Sequence, residues 1–108
     1  MRNKYNNRWT EVDGIKFQSQ AEATRYSELR LLEKAGLISG LELQPRYNIH
    51  VNRQKICQYR GDFRYVDEFG KTVLEDVKGL ATPVYSMKRK LLKAVYGIDI
   101  VEIKGERR

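Results

Sequence analysis

The sequence predicts a single-domain α/β fold of α+β character, a mixed β-sheet flanked by helices. Three observations predict it. The chain has 108 residues, enough for one compact domain and too few for two ordinary ones. Two segments carry helical apolar spacing, and each closes on a glycine, Gly36 or Gly97. The rest reads as short β-rich runs between turn residues, so the elements follow the order β, α, β-meander, α, β.

Residues 1–8 are polar and basic with no apolar period, and read as a mobile arm ahead of a domain spanning 9–103. Trp9 to Phe17 reads as a hairpin turning at Asp13-Gly14. Ser19 to Ala35 is the first helix, with Gly36 in the C′ position. Leu41-Glu42-Leu43 and Tyr47 to Val51 are short strands interrupted by Pro45, and Asn52 to Lys55 is a turn. Cys57 to Val66 and Thr72 to Gly79 read as two strands of a hairpin, joined through Asp67-Glu68-Phe69-Gly70-Lys71. A second helix runs from about Val84 to Tyr96, ended by Gly97; Ile98 to Ile103 is a last strand, and 104–108 a basic tail. There is no internal repeat, linker or low-complexity segment.

Composition narrows the function classes. Hydrophobic residues make up 41% and charged residues 32%, a globular balance. No apolar run approaches the ~20 residues that span a bilayer, and the first residues lead into no hydrophobic signal segment. One cysteine, Cys57, makes no internal disulfide and fits a reducing compartment, so a cytoplasmic protein is the default. Cys57 and His50 together are too few for a zinc site and are read as structural. The net charge of +7 favours a polyanionic partner, because neutralising phosphates releases condensed counterions; solubility alone is the plainer explanation.

Against that basic background the acidic residues stand out. Thirteen residues separate Asp62 from Asp76, and Lys78 follows two positions later. Alternation puts Asp76 and Lys78 on one strand face, and the hairpin brings Asp62 beside them. Two carboxylates and an ammonium on one face suit a hard cation and a polarised water. The structural alternatives are ordinary: Asp62 paired with Arg60 or Arg64, and Asp76 with Lys78 as an exposed charge pair worth little. Val73, Leu74 and Val77 favour a buried central strand instead. Glu75 falls on the opposite face and is the weaker ligand candidate. Glu22 stands three residues after Ser19, the spacing of a capping box, yet lies within the helical arc of Ala21, Tyr26, Leu29 and Leu32. Cap and ligand are both open to it. On the second helix Val84, Met87, Leu91, Ala94 and Val95 form the expected inner face. Arg89, Lys90 and Lys93 form a basic outer face, which lies along phosphates or is simply solvated, and Lys88 sits at the margin.

Glu22, Asp62 and Asp76-Val77-Lys78-Gly79 resemble the PD-(D/E)xK, restriction-endonuclease-like nuclease superfamily. Phe17-Gln18-Ser19-Gln20-Ala21-Glu22 is similar to its small phage-encoded branches, including junction-resolving enzymes of the endonuclease I type. Tyr59-Arg60-Gly61-Asp62-Phe63 stands where such proteins place a Pro-Asp-Phe element. The likeness runs from about Phe17 to Ile103, with Gly61 in place of the usual proline and Asp76 where Glu is commoner. It implies a four-stranded mixed core sheet and a Mg²⁺- or Mn²⁺-dependent endonuclease in phage DNA recombination or replication, working in the host cytoplasm and selective for DNA structure. Asp62 and Asp76 would bind the metal, with Glu22 a further ligand directly or through water. Lys78 would hold the attacking water or stabilise the transition state. DNA would meet Arg60, Arg64, Lys88, Arg89, Lys90 and Lys93. No organic cofactor and no membrane are implied. A homodimer follows from the paired nicks of a resolving enzyme, with Tyr5 and Trp9 as candidate contacts. The alternative is a non-catalytic nuclease-fold subunit that binds DNA within a larger complex.

Overall fold

The computed structural model describes residues 9–78 and 82–104, the side chain of Lys78 excepted. The basic arm 1–8, Gly79 and the end of the basic tail lie outside the described residues, whereas Lys104 closes the last strand. The described residues form eight strands and two helices: β1 (Thr10–Val12), β2 (Ile15–Phe17), α1 (Gln20–Lys34), β3 (Ser39–Leu43), β4 (Arg46–Val51), β5 (Gln54–Arg60), β6 (Phe63–Val66), β7 (Thr72–Lys78), α2 (Pro83–Tyr96) and β8 (Ile100–Lys104). The mixed α/β class is as expected.

Local chemistry fixes the boundaries. Asp13 and Gly14 both take positive φ, 54° and 77°, which closes the β1–β2 hairpin in two residues. Ser19 caps α1, its hydroxyl accepting the Glu22 N–H at 3.1 Å. At the other end Gly36, at φ 80°, donates to Glu33 O and Leu37 donates to Leu32 O, the paired bonds of a Schellman stop. Thr82 caps α2 with Pro83 in its first turn, and Gly97 ends it at φ 72°.

The central sheet has the order β3-β6-β7-β8, antiparallel except for the parallel pair β7–β8. One face carries Phe63 and Tyr65, which pack with Phe17, Ala23, Tyr26 and Leu29 under α1. The other carries Leu74 and Ile100, which pack with Leu92 of α2 and with Tyr47, Ile49 and Tyr59. Two helices thus cover two faces of one sheet, and β7 runs through the middle.

Three expectations need correction. Cys57 to Val66 is two strands in different sheets, not one: β5 pairs with β4, and β6 with β3 and β7. The β4–β5 turn is only Asn52-Arg53, both at positive φ, so Gln54 and Lys55 belong to β5. The inner face of α2 is Tyr85, Leu91 and Leu92; Val84, Met87, Ala94 and Val95 are exposed. The apolar spacing admitted either arc, and Leu92, fully buried between Leu74 and the β4–β5 pair, decides it.

The break between β5 and β6 has a counterpart. Leu43 faces Phe63 before it and Arg46 faces Arg60 after it, so the register runs on while both strands bend at one level. Across the bend Gln44 N–H donates to Asp62 O and Gly61 N–H to Pro45 O, each at 2.9 Å. A long hairpin therefore leaves the central sheet at Gln44-Pro45 and Gly61-Asp62 and continues as a separate two-stranded ribbon.

Candidate functional site

The bend sets the position of Asp62. Its N–H donates to Glu75 O at 3.0 Å, and its carboxylate Oδ2 accepts the Val77 N–H at 2.7 Å. Both contacts are to β7, so the aspartate is held across the middle strand at the point where Asp76 projects. Gly61 permits the approach. A Cβ there would stand 2.7 Å from Cδ1 of fully buried Leu74, and the Gly61 N–H is already spent on Pro45. A proline would lose that bond and collide with Leu74, which accounts for glycine at this position.

Asp76 shares a sheet face with Leu74 and is gripped by Tyr59, whose hydroxyl donates to its Oδ2 at 2.6 Å. The Asp62 and Asp76 carboxyls adjoin one another. Burial pushes the Asp62 carboxyl up to about 7, with the adjacent Asp76 adding to the rise and the Val77 N–H opposing it. Burial and the Asp76 bond also push the Tyr59 hydroxyl up, keeping it a donor. Two acidic oxygens are thus forced together in a partly dry place.

Glu22 comes from the other side. It belongs to α1, which covers the face opposite Asp76, and its backbone N–H donates to the Ser19 hydroxyl at 3.1 Å. Burial raises its pKa; the nearby Gln18 backbone N–H opposes this, Asp76 reinforces it, and Arg60 opposes it again. Glu22 therefore stands in the first turn of α1 and within the acidic group's field. Among the described residues no cluster of three or more His, Cys, Asp or Glu side chains closes on a single cation position. The sheet explains this: Glu22 and Asp76 reach its end from opposite faces, and Asp62 stands between them. Lys78 is the last residue of β7, two positions from Asp76.

A cleft of about 510 Å³ opens over Asp76. Arg46, Arg60 and Lys88 bring positive charge to its walls, with Tyr59, Tyr85 and Thr82 between them. Lys88 is positioned by a bond to Gln58 O at 2.9 Å. A carboxylate floor beneath cationic walls suits a phosphodiester: the walls hold the anion, and the floor repels it unless a cation intervenes.

Other candidates lie elsewhere. Arg64 is committed to Glu42 and to the Tyr47 hydroxyl at 2.8 Å, and stands 5.3 Å over the Tyr47 ring, so Asp62 has no partner in it. Lys93 pairs with Asp99 at 2.9 Å. Arg89 and Lys90 line a shallow surface groove beside that pair, apart from the cleft. Sequence reasoning missed Tyr59 and Arg46, which reach the site only because the ribbon folds beside α2. It also left Glu75 without its partners. Glu75 is 1% exposed, held by Arg25 Nε at 2.8 Å, Arg25 NH2 at 2.6 Å and the Tyr65 hydroxyl. That cluster neutralises the carboxylate beside Asp76 and welds α1 to β7. Its sequence signal was an acidic residue on the inner face of an apolar strand, with an arginine on the facing helix.

The model of one protein family, described as a protein of unknown function (DUF1064), matches residues 2–105. The chain belongs to this family. The match spans nearly the whole sequence, so the acidic pair, the cleft and the ribbon all fall inside the family's extent. No curated protein and no solved structure matches the chain. Among the described residues, no helix is long and apolar enough to cross a membrane.

Proposed function

We propose that the chain is a metal-dependent DNA endonuclease that hydrolyses phosphodiester bonds at the Asp62–Asp76 pair. The supporting observation is the pair itself, the adjoining Asp62 and Asp76 carboxyls, with Asp76 on the floor of a cationic cleft. The donor set fits a hard divalent cation such as Mg²⁺ or Mn²⁺: the oxygens are acidic, close, and partly withdrawn from water. Asp62 and Asp76 would hold the ion, with Glu22 acting through water, and it would supply Lewis-acid charge to the scissile phosphate.

The chain's own residues do the rest. Arg46, Arg60 and Lys88 bind and orient the phosphate backbone along the cleft walls. Tyr59 fixes the Asp76 rotamer, and the Val77 N–H fixes that of Asp62. Lys78 is assigned to the attacking water or the developing charge, on the strength of its place after Asp76. The substrate is DNA whose shape, not sequence, is selected, since phosphate contacts carry little sequence information. Branched DNA that needs two nicks would engage a homodimer.

Cleavage of four-way junction, flap, nicked and linear DNA in Mg²⁺, Mn²⁺ or EDTA tests the reading. Cation-dependent cleavage that favours a branched form supports it, and paired nicks on the junction point to the dimer. The open arrangement of Glu22 relative to Asp76 favours a second reading, a binding subunit without catalysis. Cation-independent DNA binding with no cleavage of any form would identify that one.

A further inference from the structure

The ribbon formed by β4 and β5 has an inner face explained by packing and an outer face that packing leaves unexplained. Tyr47, Ile49, Cys57 and Tyr59 turn inward against α2. Outward, the cross-strand rows are Arg46 with Arg60, Asn48 with Gln58, and His50 with Lys55. A bulge at Ile56 shifts the register so that Lys55, not its neighbour, stands opposite His50. Residues 46–60 contain four Arg or Lys and no Asp or Glu. The row next to the cleft is its own wall, Arg46 and Arg60, so cations stand at both ends of the ribbon, these two at the cleft and Lys55 and Arg53 at the turn.

The middle row is of a different kind. Gln58 Nε2 donates to Asn48 Oδ1 at 2.9 Å, which aligns two exposed amides side by side. The pair keeps an amide donor on Asn48 and a carbonyl acceptor on Gln58. The ribbon is also rigid where it counts: Lys88 Nζ bonds Gln58 O, and the Tyr96 hydroxyl bonds Asn48 O at 2.7 Å, both from α2.

We infer that the outer face of the β4–β5 ribbon enters the major groove of a DNA duplex whose backbone lies in the cleft. The inference rests on the polynucleotide reading above and adds how the duplex is held. The major groove of B-form DNA admits a two-stranded ribbon, and oriented amides there meet base edges. The flanking cations meet the phosphates. The deep, narrow major groove of an RNA duplex excludes such a ribbon, so this surface selects DNA.

Binding to a duplex of about 25 base pairs, measured in EDTA across a salt series, separates the parts. Arg53 sits at φ 69°, so the paired variant Arg53→Asn, Lys55→Gln keeps a residue that tolerates that backbone. It should bind DNA roughly tenfold more weakly at 0.1 M salt, with the log–log slope lowered by about two. Asn48→Ala with Gln58→Ala should weaken binding while leaving the slope unchanged. Thermal melts of both variants should match the parent, since all four side chains are exposed. On an RNA duplex of equal length, parent and variants should bind alike. Unchanged DNA affinity in both variants, or equal losses on DNA and RNA, overturns the groove assignment while the cleft stands. A parent protein that binds neither duplex overturns the polynucleotide reading itself.

Discussion

Asp62 is the residue on which the site turns, because three backbone contacts, its own partial burial and the adjacent Asp76 carboxyl decide its chemistry. Its folded pKa, about 7, lies above the ordinary 3.8. Between those values the folded chain binds a proton that the unfolded chain does not. The associated stability is therefore complete below the lower value and lost as pH rises through the upper one. In EDTA the melting temperature should accordingly fall across this window. Asp62→Asn, which carries no charge to repel Asp76, should melt a few degrees above the parent at pH 8, with the difference gone near pH 4. A parent whose melting temperature is flat over that range would contradict the coupled pair. Glu22 separates its two roles under Glu22→Gln. The amide keeps a side-chain carbonyl acceptor in the first turn of α1, so the melt should stay within about 2 °C, since Gln also serves at this helix position. Cation affinity and turnover should drop at least tenfold if the charge matters; full activity would leave Glu22 a cap alone.

At the scale of elements, the welding of α1 to β7 through Arg25, Glu75 and Tyr65 carries a sharp expectation. Tyr65 is pushed up to about 12 by burial and then by its bond to Glu75, and the guanidinium of Arg25 is pushed up chiefly by that same carboxylate. Removing one partner of a buried pair leaves the other charge uncompensated. Arg25→Met should cost about 3 kcal/mol, near the lower end for buried pairs because Arg25 keeps some exposure. Chemical denaturation reads it directly, and a loss below about 0.5 kcal/mol would reduce the cluster to a surface pair. Most element boundaries were legible because short-range chemistry writes them: Asp13-Gly14, Ser19, Gly36 and Gly97 each act within a few residues. The bend between β5 and β6 was not, since it depends on Pro45 and Leu74, distant in sequence. The α2 face was misread for the same reason. Val84, Met87 and Val95 satisfy a helical period, but the groove between sheet and ribbon accepts Leu92.

For the whole molecule, the sheet brings Asp62 and Asp76 together as the hairpin pattern of the sequence requires. It holds Glu22 on the other side, which no periodicity could show. The cleft walls were half legible: Lys88 was marked as marginal to its helix, and Arg60 as flanking Asp62, while Arg46 entered only with the ribbon. Fold and acidic pair thus follow from local pattern, and the cationic enclosure from tertiary placement. The central claim is that this pair serves phosphodiester hydrolysis through a divalent cation. Its most direct test is nicking of supercoiled plasmid and of a labelled junction by the parent, Asp62→Asn and Asp76→Asn, at fixed DNA occupancy in Mg²⁺, Mn²⁺ and EDTA. The account predicts cation-dependent nicking by the parent. Both variants should lose at least a thousandfold in rate, a transition-state loss of about 4 kcal/mol, while binding DNA as well as the parent or better. Equal nicking by parent and variants, or nicking by the parent in EDTA, would contradict it.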